Sequence, residues 1–275
     1  MKKTSYWILA ILITLAAVIY QRKTGPTYDK KIKTNIEDTE YEFKLIRSFS
    51  GEKDCRIKLT IPDKSVSGIL EYKKYPTKGN WTKIEMSRES DDLAGILPNL
   101  PPAGKYEYKI TLVKGDLKYN LNEGKPVIIR FKGDVPGAIL IPHIFLMFFA
   151  MLLGNLAGIM ALFKYKKYKL YTNLTVIGLF IGGLILGPWV QYYAFGEAWA
   201  GVPFAWDLTD NKTLVAFLFW VLAFALNRKK ERPVYTVVAS VVMLLVYSIP
   251  HSMYGSQLDP ETGEIIQGWI QFFLF

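Results

Sequence analysis

The sequence predicts an α-helical membrane bundle, with four confident spans plus an N-terminal anchor, that carries an exported all-β sandwich. Three observations predict it. Residues 1–26 and 136–250 hold apolar runs of membrane scale divided by short charged loops. Residues 27–135 instead alternate apolar and polar positions in short runs between Gly, Pro, Asn and Asp turns. The composition, 51% hydrophobic with mean hydropathy +0.15, is too apolar for an ordinary soluble domain, while 21% charged residues is too many for a chain wholly in lipid.

The N-terminus opens Met1-Lys2-Lys3 and continues as an apolar run from Tyr6 to Tyr20, closed by Arg22, Lys23 and Gly25-Pro26. A basic start and a short apolar core suit a signal segment, but no clean small-residue cleavage pattern follows Ala16-Ala17. An uncleaved signal-anchor over 1–26 is therefore the expectation.

Residues 27–135 are expected to form one extracytoplasmic β-sandwich. Its candidate strands are Tyr41–Ile46, Cys55–Ile61, Gly68–Tyr72, Tyr106–Val113 and Pro126–Phe131, with Trp81 as a core candidate. Between residues 21 and 136, 23 Lys/Arg mix with 17 Asp/Glu, as on a solvated surface. No like-charge block or nucleic-acid motif stands out, which argues against a DNA or RNA partner. Cys55 is the one cysteine, so the chain forms no internal disulfide and no CxxC site. Its expected role is a small buried apolar residue; an intermolecular bridge or lipid attachment is the sharper alternative.

The membrane part occupies 136–250. Gly137–Phe163 runs 27 residues without a charge; Leu174–Phe195, about Leu208–Asn227 and Val234–Ile249 follow. Residues 251–275 read as an outer-face segment ending in a short apolar helix, Ile265–Phe275, anchored at the interface by Trp269. Two loops are basic: Lys164, Lys166, Lys167 and Lys169, and then Arg228, Lys229, Lys230 and Arg232. The positive-inside rule places both in the cytoplasm. The loops holding Glu197, Asp207 and Asp210, and Asp259, Glu261 and Glu264, then lie outside, with the β domain. The expected location is the cytoplasmic membrane.

Small residues give packing expectations. Gly154 and Gly158 form a Gly-x-x-x-Gly seam, and Gly178, Gly182, Gly183 and Gly187 predict close packing of the second and third spans. Pro188 should kink its helix.

The candidate site lies at the outer level. The chain's two histidines, His143 and His251, each follow Ile-Pro and fall near the outer ends of their spans. Imidazole is the commonest metal ligand and a haem axial ligand, and intramembrane ionisable groups are functional candidates. A neutral histidine bonded between helices is the plain alternative. The loop between the second and third spans adds Trp199, Trp206, Asp207 and Asp210. The tryptophans serve equally as an interfacial belt, and Asp207, Thr209 or Asp210 as a helix N-cap. His143, Met147 and Met151 fall at i, i+4 and i+8, with Met253 close to His251. Imidazole with thioether suits Cu(I), while methionine stripes also fill cores.

Two resemblances rest on these residues. The stretch Leu97–Ile110, LPNLPPAGKYEYKI, resembles the strand-F entry of a fibronectin type III or immunoglobulin-like sandwich, which implies a fold and no particular role. The order His143, Trp-Asp loop, His251 resembles the WWD-type haem-handling membrane proteins of cytochrome c assembly. That resemblance implies His143 and His251 as haem ligands and Trp199, Trp206 and Asp207 as the haem platform. The chain departs from the family string at Val202 and Phe204, near its middle Trp, and at Leu208–Thr213, which replaces its tail.

No Gly-rich phosphate loop, Gly-x-Ser-x-Gly or HExxH motif occurs. Three functions are expected in this order: haem binding or handling at an outer-face pocket, serving electron transfer or cytochrome assembly; a non-enzymatic envelope scaffold whose β-sandwich binds another membrane or exported protein; and copper or small-solute transport. Haem is the first cofactor expectation, copper the second, and the scaffold needs none. The lipid bilayer is a partner throughout.

Overall fold

The computed structural model describes residues 3–250 and 255–267. They fall into two units: residues 3–26 with 135–250 and Gly255, which are helical, and residues 27–134 with 256–267, which are β. The chain therefore passes between the units at Pro26–Thr27, Asp134–Val135 and Gly255–Ser256.

The helical unit holds α1 (Lys3–Thr24), α2 (Gly137–Leu162), α3 (Tyr168–Leu179), α4 (Gly187–Phe195), α5 (Leu208–Lys229) and α6 (Pro233–Ser248). A π-helical segment, Phe180–Leu186, joins α3 to α4, so Tyr168–Phe195 runs as one 28-residue helix. Among the described residues, four helices are long and apolar enough to cross a membrane: α1, α2, this long helix and α5. The expected fourth span, Val234–Ile249, is α6, with 16 residues. At about 1.5 Å per residue it is only ~24 Å long, against a hydrocarbon core of ~30 Å. Conversely, α1 extends past its short apolar run in both directions and reaches 22 residues.

Helix α2 is the hub, touching α1, α3, α5 and α6 through one continuous buried face from Met147 to Ala161. Close approach is built on missing side chains. A Cβ on Gly158 would lie 2.4 Å from the Cβ and Oγ of Ser240 in α6. Gly178 and Gly182 sit against Ala150 and Leu146 of α2, and only Gly183 faces α5, at Thr213. This corrects the expected seam: most of those glycines pack the second span on the first, not on the third.

Some polar side chains inside the bundle pair with one another. Asn155 Nδ2 donates to Thr14 Oγ1 at 2.9 Å, tying α1 to α2, and Thr14 in turn donates to the Ala10 carbonyl. The Tyr168 hydroxyl donates to Asn227 Oδ1 at 2.6 Å, tying α3 to α5. Helix ends register accordingly. Tyr6 of α1 meets Phe163 and Tyr165, while Gln21 at its other end donates to the Tyr247 carbonyl of α6. Both basic loops therefore share one end of the bundle, and the 196–207 loop lies at the other.

The β unit holds β1 (Lys30–Ile36), β2 (Thr39–Leu45), β3 (Ser48–Ser50), β4 (Cys55–Thr60), β5 (Val66–Lys74), β6 (Thr82–Glu85), β7 (Ser87–Glu89), β8 (Asp92–Leu97), β9 (Lys105–Lys114), β10 (Leu117–Asn120), β11 (Val127–Lys132), β12 (Ser256–Leu258) and β13 (Ile265–Gln267). One sheet runs β3-β11-β9-β5-β6, with β10 also on β9; the other runs β4-β8-β7. Only β3 on β11 is parallel. Alternation decides which face is inside: in β4, Cys55, Ile57 and Leu59 are buried and Arg56, Lys58 and Thr60 are not. These meet Leu70, Tyr108, Ile110 and Ile129 of the other sheet in one core, which also takes Phe43 and Leu45 of the β1–β2 hairpin. Tyr108 enters this core with its hydroxyl donating to the Ile46 carbonyl at 2.9 Å. Cys55 is fully buried, and burial pushes its thiol up to about 12, as suits the plain apolar role.

Two expectations need correction. Trp81 is not in the core. It precedes the edge strand β6 and lies half-buried on the opposite face, with Lys109 Nζ 4.1 Å and Lys73 Nζ 5.3 Å from its ring. The expected terminal helix does not begin at Ile265, because Ile265–Gln267 pairs with Ser256–Leu258 as a hairpin. The rest of that segment, with Trp269, lies outside the described residues. The hairpin joins the β unit: Leu258 N–H donates to the Ala103 carbonyl, Lys105 Nζ to Gln257 Oε1 at 2.6 Å, and the Arg130 guanidinium to the Ser256 carbonyl.

Two predictions follow from this packing. Gly158→Ala should destabilise the bundle by about 1–3 kcal/mol, measured by thermal unfolding in detergent, because Ser240 cannot retreat without moving α6. Burial beside Arg130 pushes the Lys105 ammonium down from 10.5 to about 7. The unfolded chain then takes up this proton first as pH falls. The stability that Lys105 contributes is complete above about 10.5, declines down to about 7 and is level below. Lys105→Met should remove that slope, as the difference between the two proteins' unfolding curves across this range.

Candidate functional site

At the end of the bundle opposite the basic loops, the 196–207 loop folds back on the start of α5. Asp207 is the N-cap: its Oδ1 accepts from Thr209 N at 2.7 Å and from Asp210 N at 3.3 Å. Asp207 N in turn donates to the Ala200 carbonyl at 2.7 Å. Asp210 Oδ2 accepts from Ala200 N at 2.7 Å, and Asn211 Oδ1 from Val202 N at 2.8 Å. Phe204 N and Ala205 N close a turn on the Gly201 carbonyl. Gly201 is what lets the loop come this near, since a Cβ there would stand 2.8 Å from Asp210 Cβ and 3.0 Å from the Trp199 ring.

The two tryptophans differ. Trp199 is half-buried, its indole N–H donating to the Val202 carbonyl at 3.2 Å. Trp206 is 58% exposed and Phe204 81% exposed. Their apolar area faces outward, which is where an interfacial belt carries it.

Lys212 and Gln191 complete the cluster. Lys212 is buried one turn into α5, and its ammonium donates to the Ile249 carbonyl at 2.7 Å. Pro250 follows Ile249 and stops α6, which leaves that carbonyl without a helical partner. Asp207 acts on Lys212 electrostatically, and Asp210 feels Asp207 and Glu197, with Gln191 alongside. A lysine just inside an apolar helix was the signal for this cluster.

His143 is placed elsewhere at this level, on α2 against the π-helical segment. Its Nδ1 lies 2.8 Å from the Gly182 carbonyl, which also accepts from Gly187 N–H. A carbonyl only accepts, so Nδ1 carries the proton, and in a neutral ring the lone pair is then on Nε2. Gly187 lies beside the ring: a Cβ there would stand in ordinary contact, 3.8 Å from His143 Cε1. The π segment also explains Pro188. In a continuous α-helix the proline ring would strike the Leu184 carbonyl; the wider turn before Gly187 admits it.

Among the described residues, the structure gathers Trp199, Asp207 and Asp210 around Gly201 and α5, and seats His143 on Gly182 and Gly187. Met147 and Met151 are buried in the helical core. The Met147 sulfur lies 3.9 Å from the Tyr247 hydroxyl and packs toward Gly182 and Gly183. His251 and Met253 lie outside the described residues. No group of three His, Cys, Asp or Glu side chains arranged to hold a metal ion occurs among the described residues.

No protein-family model, curated protein or solved structure matches the chain.

The geometry separates a cap from a charged ligand. Asp207→Ala should cost about 1 kcal/mol of bundle stability or more, while Asp207→Asn, an equally good N-cap, should lose less, only what the carboxylate contributes beside Lys212. Thermal unfolding of the full chain in detergent reads both. Equal losses would mean that the charge itself is what matters at residue 207.

Proposed function

We propose that the chain is a non-enzymatic membrane scaffold whose β unit docks another membrane or exported protein. The observation that carries this reading is the employment of the polar groups in the 196–212 region. Asp207, Asp210, Asn211 and Lys212 each bond a backbone group that helix ends and the loop would otherwise leave unpaired. That use supports an anchoring role for the bundle. On the β unit, Trp81 offers a half-exposed aromatic flanked by Lys73 and Lys109 on a regular sheet face. Tryptophan with neighbouring cations suits a protein-binding hot spot. An immunoglobulin-like or fibronectin type III-like sandwich is the fold reading that fits, supported by two sheets sharing one core, with the order β3-β11-β9-β5-β6 against β4-β8-β7. The shared basic end of the bundle supports a cytoplasmic-membrane orientation with that end inside and the β unit outside.

His143 favours a second reading, haem binding. With its Nδ1 proton held by the Gly182 carbonyl, it is oriented as a histidine that ligates through Nε2 commonly is. One such ligand fits haem. Asp207 of the platform and Asp210 beside it fit less well, since both accept from backbone N–H groups.

One experiment separates the two. The full chain carries a photo-crosslinking amino acid at residue 81 in native membranes, with residue 118 as an exposed control. The same chain is purified in mild detergent from haem-supplied cells. A discrete adduct at 81 and not at 118, with no Soret band, is expected. No adduct at 81, with a Soret band that disappears in His143→Ala, would overturn the scaffold in favour of haem.

A further inference from the structure

The basic end of the bundle holds a pocket that neither reading uses. It lies between the first turns of α3 and the last turns of α5, lined by Lys169, Thr172, Asn173, Phe224, Asn227 and Arg228. Its volume is about 180 Å³. A single water needs only ~10–15 Å³ on a comparable measure, so a tetrahedral oxyanion fits.

The lining is graded. Lys169 and Asn173 stand at i and i+4 on α3, and Phe224 and Arg228 at i and i+4 on α5, so two helix faces meet across the pocket. The two cations lie toward the helix ends, and Phe224 lies one turn deeper. The Arg228 guanidinium is 5.9 Å from the Phe224 ring centroid, which sets its direction.

The rear wall is rigid. Asn227 accepts from Tyr168 Oη at 2.6 Å and from Arg232 N at 2.8 Å, and donates to the Ala223 carbonyl at 2.8 Å. Thr172 is fixed by donating to the Tyr168 carbonyl. The pocket therefore exists before any ligand arrives. The nearest carboxylate is Glu231, 3.5 Å from Lys169 Nζ, with both side chains more than a third exposed. An exposed pair of this kind is weak and exchangeable.

We propose that this pocket binds a phosphate-bearing anion through Lys169 and Arg228. Its place at the end of two membrane-length helices, above Phe224 and beside the exposed apolar side chains of Leu170 and Leu174, makes an anionic phospholipid headgroup the source. Lys164, Lys166, Lys167, Lys229, Lys230 and Arg232 raise the local anion concentration without lining the pocket.

The test titrates the full chain in detergent with phosphatidylglycerol, phosphatidylcholine or inorganic phosphate. Bound lipid is read by native mass spectrometry and the thermal midpoint in parallel. Phosphatidylglycerol should bind and raise the midpoint, and phosphatidylcholine should not. Lys169→Gln and Arg228→Gln should each weaken binding about tenfold, the loss of one charge-assisted bond. The loop controls Lys166→Gln and Lys230→Gln should change it far less, and Glu231→Gln should tighten it. An equal effect from inorganic phosphate would support the phosphate site and make the free ion its source. Equal weakening by pocket and loop substitutions, or no anion effect at all, would overturn the proposal.

Discussion

The structure of the helical unit depends on one constraint: near hydrocarbon, a backbone N–H or C=O without a partner has no water to turn to. Helix ends and loops are where such groups collect. In the 196–212 region they are met one by one. Asp207 takes the first N–H groups of α5, Asp210 and Asn211 take Ala200 and Val202, and Lys212 takes the carbonyl stranded when Pro250 stops α6. The π segment between α3 and α4 is another answer to the same demand, since it admits Pro188 while the Gly182 carbonyl stays bonded to Gly187 and His143. The residues that look most chemical in this part of the chain thus have a structural occupation first.

The same demand, together with close packing, makes α2 the hub. It carries no charge along its length, and its buried polar group, Asn155, bonds Thr14 of α1. Small residues bring the neighbours in: Gly158 against Ser240, Ala150 against Gly178. Without a hydrophobic driving force between helices in lipid, such contacts and the Thr14–Asn155 and Tyr168–Asn227 bonds are what hold the bundle. Helix α1 is bound into it at both ends, by Tyr6 and by Gln21. The large apolar side chains left exposed on α1, α2 and α3 are the lipid-facing complement of this arrangement.

Much of the fold was legible in the sequence because the two halves use different periods. Alternation in Cys55–Thr60 and Lys105–Lys114 located the core strands, and charge-free runs located α1, α2 and α5. Trp81 was misplaced because alternation fixes a residue's face only inside a strand, and Trp81 stands just before one. The β12–β13 hairpin was hidden for another reason. Its apolar Ile265 and Ile266 match a short interfacial helix as well as an edge strand, and only its long-range bonds to Ala103, Lys105 and Arg130 decide. The candidate site was legible as residue types but not as roles. Carboxylates beside tryptophans suit a ligand platform or a helix cap equally, and the backbone groups they serve lie up to ten residues away.

The 196–212 region is thus held by polar side chains serving its own backbone. Amide hydrogen exchange across residues 199–212 of the full chain in detergent tests that claim most directly. The expected result is slow exchange at Ala200, Val202, Thr209 and Asp210, whose N–H groups are held by Asp210, Asn211 and Asp207. Exchange at these four amides as fast as in an unstructured loop would contradict it and return the carboxylates to a role in binding a ligand.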